Sequence, residues 1–294
     1  MKTKQRLSGT LQQFVFVGPA FLFFSLIVLV PFLMSMVYSF TEWNGVTSNV
    51  KWIGLDNFKT ILTADQDFHK AFWFTTRFTM TNVLLANLLG FGLALLLSQA
   101  LKTRNVLRTV FFLPNVIGGL LLGFIWQFIF IKGFSTIGEL TQIAFFQLPW
   151  LGDAPTAFWG LIIVSVWQTA GYLMVIYIAG LANVPKELTE AATIDGATRW
   201  QALRHITIPM IMPSVTVCLF LTISWAFKMY DLNVSLTQGG PFNSTQSVAL
   251  NVYEEAFRNN RYGLGTAKAF IFFIVVALIT LIQVSVTKKK EVEV

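Results

Sequence analysis

Residues 184–209 read VPKELTEAATIDGATRWQALRHITIP, and this stretch decides the fold. It is the one long polar, helix-prone segment in the second half of the chain, and apolar runs of membrane-spanning length flank it on both sides. Asn183 is placed to cap a helix, and Pro185 suits a first helical position, where an N–H would be unsatisfied anyway. Glu187 and Glu190 follow in the first turns, where the helix dipole favours negative charge. Ala191 and Ala192 are strong helix formers with almost no bulk. Gly196 breaks the run, and a second short amphipathic helix is expected behind it, with Trp200 and Leu203 on one side and Arg199 and Arg204 on others. Pro209 is expected to open the next membrane segment. The pattern predicts a helix–Gly–helix outside the bilayer whose small-residue face lets another backbone come close, as in helix-in-groove docking. Taken alone, these features fit an ordinary amphipathic linker between two spans equally well.

Composition supplies the setting. Of 294 residues, 55% are hydrophobic and 12% charged, and the mean hydropathy is +0.64. Soluble domains carry about 25% charged residues, so the chain reads as a membrane protein. Six apolar runs approach the roughly 20 residues a bilayer requires. They are approximately Phe14–Phe40, Ala71–Gln99, Leu107–Ile131, Ala157–Leu181, Pro209–Met229 and Leu264–Val286. The expected organisation is a cytoplasmic tail over 1–13, an all-α six-helix membrane domain over 14–286 containing the 184–208 loop, and a basic tail over 287–294. The first run is longer than a signal-peptide core, lacks a small-x-small cleavage site close behind, and precedes five more spans. Cys218 is the only cysteine, which excludes an internal disulfide and a cysteine metal cluster and leaves the part of a small core hydrophobe.

The net charge of +7 concerns orientation rather than nucleic acid. With both termini inside, the inner segments hold 12 of the 21 basic residues and 5 acidic ones, while the remainder has 9 of each. The positive-inside rule then predicts cytoplasmic termini and a cytoplasmic 184–208 loop.

Three motifs give the chain a family resemblance. Glu190-Ala191-Ala192, then Gly196, then Ile206 and Pro209 resembles the EAA loop of binding-protein-dependent ABC importer permeases, with Ile208 where leucine usually precedes the proline. Trp52-Ile53-Gly54-Leu55-Asp56-Asn57-Phe58 resembles the W-x-G-L-x-N-F stretch after the first span of carbohydrate-type permeases. Tyr230-Asp231 followed by Leu236-Thr237-Gln238-Gly239-Gly240-Pro241 and Thr245 resembles their F-D-x-x-x-x-L-T-x-G-G-P-x-x-x-T segment, with Tyr230 for phenylalanine. The resemblance implies a type I ABC importer transmembrane domain of the larger-maltose-permease type, multi-pass in a prokaryotic cell membrane. It implies ATPase coupling through Glu187, Glu190, Ala191, Ala192, Asp195 and Gly196. It further implies a second, different permease forming a heterodimer, two ATPase subunits carrying ATP and Mg, an extracellular solute-binding protein, and a sugar or oligosaccharide cargo.

Polar residues inside the spans are candidates for the substrate pathway. Asn82 and Asn87 in the second span must face protein or a cavity, with interhelical hydrogen bonding favoured over a pathway role. In the fourth span Gln168 and Tyr172 share a face, and Ser165, Thr169 and Tyr172 form a similar polar stripe. An aromatic platform beside amides and hydroxyls suits a sugar ring and its hydroxyls, although such a stripe also joins helices. In the maltose permease the corresponding span contributes to the sugar pocket; Tyr172 is similar to an aromatic position there, while Gln168 and Thr169 align with pocket positions but differ in type. Trp225 and Met229 share a face in the fifth span, and Lys228 and Asp231 near its end are expected either to pair or to bond a substrate hydroxyl, with snorkelling as the simpler reading for the lysine. Residues 251–261 read as a solvated outer helix with Glu254, Glu255, Arg258 and Arg261, or as a docking surface for the binding protein.

The chain has no G-x-x-x-x-G-K-[ST] phosphate loop and no Ser/His/Asp or metal-ligand constellation, so it is expected to be no enzyme and to bind no cofactor itself. Two alternatives stay open. One is an ABC permease for a non-sugar solute, which the EAA loop alone allows. The other is a stand-alone secondary transporter, which calls for mid-span carboxylates that are missing here.

Overall fold

The computed structural model describes residues 14–99 and 101–291; the basic tail 1–13 and the last three residues lie outside them. Apart from the four-residue helix Ala144–Gln147, the helices in chain order are α1 (Phe14–Tyr38), α2 (Asp56–Thr63), α3 (Gln66–Leu97), α4 (Arg104–Val116), α5 (Gly119–Thr141), α6 (Ala154–Ala182), α7 (Lys186–Ile194), α8 (Arg199–Met210), α9 (Met212–Phe227), α10 (Asp231–Leu236), α11 (Val248–Tyr253) and α12 (Tyr262–Lys288). Five of them, α1, α3, α5, α6 and α12, are each long and apolar enough to cross a membrane, and the bent pair α8–α9 makes a sixth if it is one span. The expected all-α, six-span architecture is therefore observed.

Two spans differ from the sequence reading. The run Leu107–Ile131 is not one helix: α4 ends at Val116, Ile117 and Gly118 are extended, and α5 restarts at Gly119. Pro114 lies in the last turn of α4, where its missing N–H and its ring weaken the helix just before the break. Helix α5 then runs on to Thr141, past Ile131, where the apolar run ends. The run Pro209–Met229 is bent by 71° at Ile211, which is 1% exposed. Pro209 closes α8 rather than opening the span, and Pro213 sits in the first turn of α9.

The chain divides into two compact units. One combines the described residues up to Asp65 with Val252–Ile271. Helix α1 has no buried residue in its apolar window, and a π-helical segment, Ser25–Leu29, precedes Pro31. The chain leaving α1 is held by Asn57, whose Nδ2 donates to the carbonyls of Ser39 and Thr41, both at 2.9 Å. Gly54 adopts φ +62° to turn into α2, and the Phe40 ring packs on Trp52 at 5.6 Å and on Phe58 at 5.2 Å. The W-x-G-L-x-N-F stretch thus forms a Gly turn and a short helix, and its Trp, Asn and Phe serve as local pins.

The same unit contains a buried ion cluster. Lys268, 1% exposed, donates to Asp65 at 2.8 Å and Glu255 at 2.5 Å, and Arg261 also pairs with Glu255 at 2.7 Å. This corrects the reading of residues 251–261 as a solvated helix: the exposed Arg258 forms an i,i+4 pair with the half-buried Glu254, and Glu255 faces inward. Removing one member of such a cluster leaves uncompensated buried charge. Lys268→Met is expected to destabilise the protein by about 3 kcal/mol, read as a lower unfolding temperature in detergent, and Lys268→Met with Glu255→Leu to recover part of it. An unchanged transition in the single variant contradicts this.

The other unit comprises Gln66–Asn251 and the chain from Phe272 onward. Its centre is the parallel packing of α3 on α6. Phe74 meets Phe158 with ring centroids 6.2 Å apart, and a Cβ at Gly90 would lie 2.8 Å from the Cβ of Leu173. Helix α4 packs on α6 so closely that a Cβ at Gly171 would lie 1.8 Å from the Phe111 carbonyl oxygen. Helix α10 seats on the glycines of α5, with Ser235 against Gly123 and Asp231 against Gly119. Glycine at these positions lets the helix backbones approach closely.

Candidate functional site: an elbow and a polar cavity

The 184–209 stretch forms a stiff elbow. Helix α7 begins at Lys186, with Pro185 extended as its cap residue and no side-chain cap, so Asn183 does not cap it. At the other end the Gly196 N–H donates to the Thr193 carbonyl at 3.1 Å, and the Ala197 N–H to the Ala192 carbonyl at 2.9 Å. This is a Schellman motif, and it requires the left-handed conformation Gly196 adopts at φ +79°. Two residues later Thr198 opens α8 with a capping box: its Oγ1 accepts from the Gln201 N–H at 3.3 Å, and Gln201 Oε1 accepts from the Thr198 N–H at 2.8 Å. Helix stop and helix start are thus locked within a few residues.

The outer face of the elbow is open. Glu187, Glu190, Ala191, Asp195 and Gly196 are exposed and Ala192 is half-buried. Ile194 is 86% and Trp200 66% exposed, amid charge. A Cβ at Gly196 would meet nothing within 4 Å.

The polar residues of α3, α6 and α9 are separated by the fold into different surroundings. A cavity of about 330 Å³ is lined by Asn82, Gln168, Thr169, Trp225, Lys228, Met229 and Asp231. Ser165, Thr222, Asn115 and Tyr230 complete its polar wall. Asn115 and Tyr230 were not singled out as site residues from the sequence, although an amide in an apolar run was a usable signal. Asn82 is 2% exposed, and its Oδ1 has no hydrogen-bond partner among the described residues. Gln168 Nε2 donates at 3.0 Å to the Ile117 carbonyl, which the break between α4 and α5 frees. Thr169 Oγ1 donates to its own helix at Ser165 O, 2.8 Å away. Among the described residues no ion pair joins Lys228 to Asp231.

Two candidates lie elsewhere. Tyr172 packs its ring on Phe112 at 6.3 Å and edge-on to Trp225 at 5.3 Å, so it backs the cavity's tryptophan rather than lining the cavity. Asn87 joins helices: its Nδ2 donates to Val83 O at 2.8 Å and Thr222 Oγ1 at 3.1 Å, and its Oδ1 accepts from Tyr177 Oη at 2.7 Å. It faces an apolar groove of about 690 Å³ on another side of α3.

A six-span helical chain with a capped, exposed elbow and a polar cavity between its spans is built as a membrane transport component. The model of the family described as "binding-protein-dependent transport system inner membrane component" matches residues 86–292, and the chain belongs to that family. It is 46% identical over 279 residues to the "probable starch degradation products transport system permease protein AmyD" of Thermoanaerobacterium thermosulfurigenes, covering 95% of this chain and 94% of that one. It is 34% identical over 262 residues to the "multiple sugar-binding transport system permease protein MsmF" of Streptococcus mutans, covering 89% and 90%. Its fold is similar to a chain of a bacterial ABC transporter for import of the acidic polysaccharide alginate, with TM-score 0.83, 19% identity and coverage of 98% and 99%.

Proposed function

We propose that this chain is one of two different permease subunits of an ATP-driven importer of sugars or oligosaccharides, and that its 330 Å³ cavity is part of the sugar's path. The observation that carries the reading is the cavity's combination of groups. Trp225 offers an aromatic face to the CH side of a sugar ring. The unpartnered Asn82 Oδ1 awaits a hydroxyl donor, and Lys228 and Asp231 add a donor and an acceptor. Burying a polar group without a partner is unfavourable, and a sugar hydroxyl relieves that state at Asn82. The names of the relatives support the cargo class.

The partners follow from the elbow. Two ATPase subunits carry ATP and Mg, and one of them receives α7 in a groove. An extracellular solute-binding protein delivers the sugar, and both termini of this chain are cytoplasmic. ATP-driven closure of the ATPases moves the elbow, and α8 transmits the movement through the 71° bend to α9, beside the end of α6. A Cβ at Gly180 would lie 2.3 Å from Ser214 Oγ, so α6 and α9 are in close register there. The cavity then opens alternately to either side. The chain itself catalyses nothing.

Transport of a labelled malto-oligosaccharide by the reconstituted complex tests the path. Trp225→Ala is expected to lower uptake about tenfold, on the scale of base–aromatic or ring–aromatic stacking losses, with affinity of the isolated binding protein unchanged. Asp231→Asn is expected to lower it less. Uptake at the native rate in both removes the cavity from the path.

A further inference from the structure

A further cavity, of about 650 Å³, lies along α3 and is lined by Arg77, Thr81, Phe158, Trp159 and Ser244 among others. Arg77 is exposed although it lies well inside the long helix α3. The 20 residues that follow it, 78–97, carry no charged side chain, and that is the length a bilayer core requires. Arg77 therefore stands at the boundary where hydrocarbon gives way to headgroups. Helix α6 agrees on the level: Phe158 packs on Phe74, one turn before Arg77, and its neighbour Trp159 is 49% exposed. Tryptophan at that depth belongs to an interfacial belt.

Two polar groups in this cavity have no partner among the described residues. No carboxylate among the described residues forms an ion pair with Arg77. The Ser244 hydroxyl, from the segment after α10, is shut away from solvent and has no hydrogen-bond partner. The remaining wall is apolar, from Phe74, Met80 and Phe158. The volume is that of an organic ligand rather than of a single ion. We infer that this cavity binds a phospholipid headgroup in the leaflet at the Gln66 end of α3. Arg77 pairs with the phosphate, Ser244 donates to a second phosphate or glycerol oxygen, and the aromatic wall covers the glycerol and first methylenes. An arginine fork matches two phosphate oxygens at once, and one unneutralised cation favours a lipid of net negative charge over a zwitterionic one. The inference does not depend on which solute the importer carries.

Native mass spectrometry of the assembled complex in detergent, with phosphatidylglycerol, phosphatidylcholine or inorganic phosphate added, tests it. The native complex is expected to retain phosphatidylglycerol over phosphatidylcholine, and Arg77→Gln to lower that retention about tenfold, as for loss of a charged hydrogen bond. Arg77→Lys is expected to keep part of it, and Ser244→Ala to lower it about threefold. Phosphatidylglycerol retention unchanged in Arg77→Gln, or no lipid preference in the native complex, overturns the site. Displacement of the lipid by millimolar inorganic phosphate overturns the lipid assignment in favour of a free oxyanion. Should Arg77→Gln fail to assemble, Ser244→Ala decides, and unchanged retention in it overturns the inference.

Discussion

Gly171→Val is expected to prevent accumulation of the folded permease, while Gly92→Ala leaves it unaffected. Both glycines lie in membrane-spanning helices, and helix propensity alone favours both replacements. They differ in what a new Cβ would meet. At Gly171 it would lie 1.8 Å from the Phe111 carbonyl oxygen and 3.0 Å from the Phe112 Cα, all backbone of α4. At Gly92 it would meet nothing within 4 Å. Ordinary overpacking costs about 1–3 kcal/mol, and here the obstacle is a helix backbone that cannot rotate aside. Displacing α4 would also pull the Ile117 carbonyl from Gln168 and shift Asn115, both at the cavity wall. Quantitative blotting of the membrane fraction against fluorescence-detected size exclusion checks the pair. Equal yields of monodisperse protein from the two variants contradict the packing described for α4.

Gly196→Leu has the opposite signature: a folded subunit that does not transport. Its left-handed φ of +79° costs a leucine roughly 1–2 kcal/mol, an amount a large membrane domain absorbs. The position is otherwise open in this chain, so the side chain disturbs nothing within it. It would instead stand on the face proposed to enter the ATPase groove. Uptake is expected to fall more than tenfold, since misplacing a docked backbone by an ångström or more removes several kcal/mol of contact, while sugar capture by the binding protein is unchanged. Gly196→Asn separates the two causes. Asparagine tolerates the left-handed region, so its backbone cost is small, yet it still projects a side chain into the interface and is expected to transport poorly. Native uptake by Gly196→Asn together with failure of Gly196→Leu would assign the effect to backbone strain alone.

Much of this was legible in the chain because a bilayer imposes length. Runs of about 20 apolar residues have few alternatives to spanning, and the elbow stood out as polar between two of them. The break at Ile117–Gly118 was not legible, because prolines such as Pro114 occur within continuous membrane helices. What separates α4 from α5 is tertiary: Gly171 admits α4 against α6, and Gln168 takes up the freed Ile117 carbonyl. The bend at Ile211 was hidden in the same way, since Pro209 is as compatible with a helix's last turn as with the start of the next. Asn82 and Asn87 show a signal that was present and not used. Five residues apart, they project about 140° from each other on a helix, so one faces the polar cavity and the other ties α3 to α6 and α9. The T-x-x-Q capping box at Thr198 and Gln201 was equally readable. Glu255 was not: Glu254 and Arg258 beside it form a proper i,i+4 pair, and only the fold brings Lys268 beneath it.

The proposed role of the elbow as the receiver of mechanical work is tested most directly by cross-linking from Ala192→Cys. The native cysteine, Cys218, is fully buried, so an introduced thiol on the half-buried face of α7 reacts alone. In membrane vesicles, a short bifunctional reagent is expected to join Ala192→Cys to a nucleotide-binding subunit, with a yield that changes when ATP is added. Modification of that thiol by a membrane-impermeant reagent from outside intact cells, or the absence of any ATPase among the cross-linked products, would contradict the account.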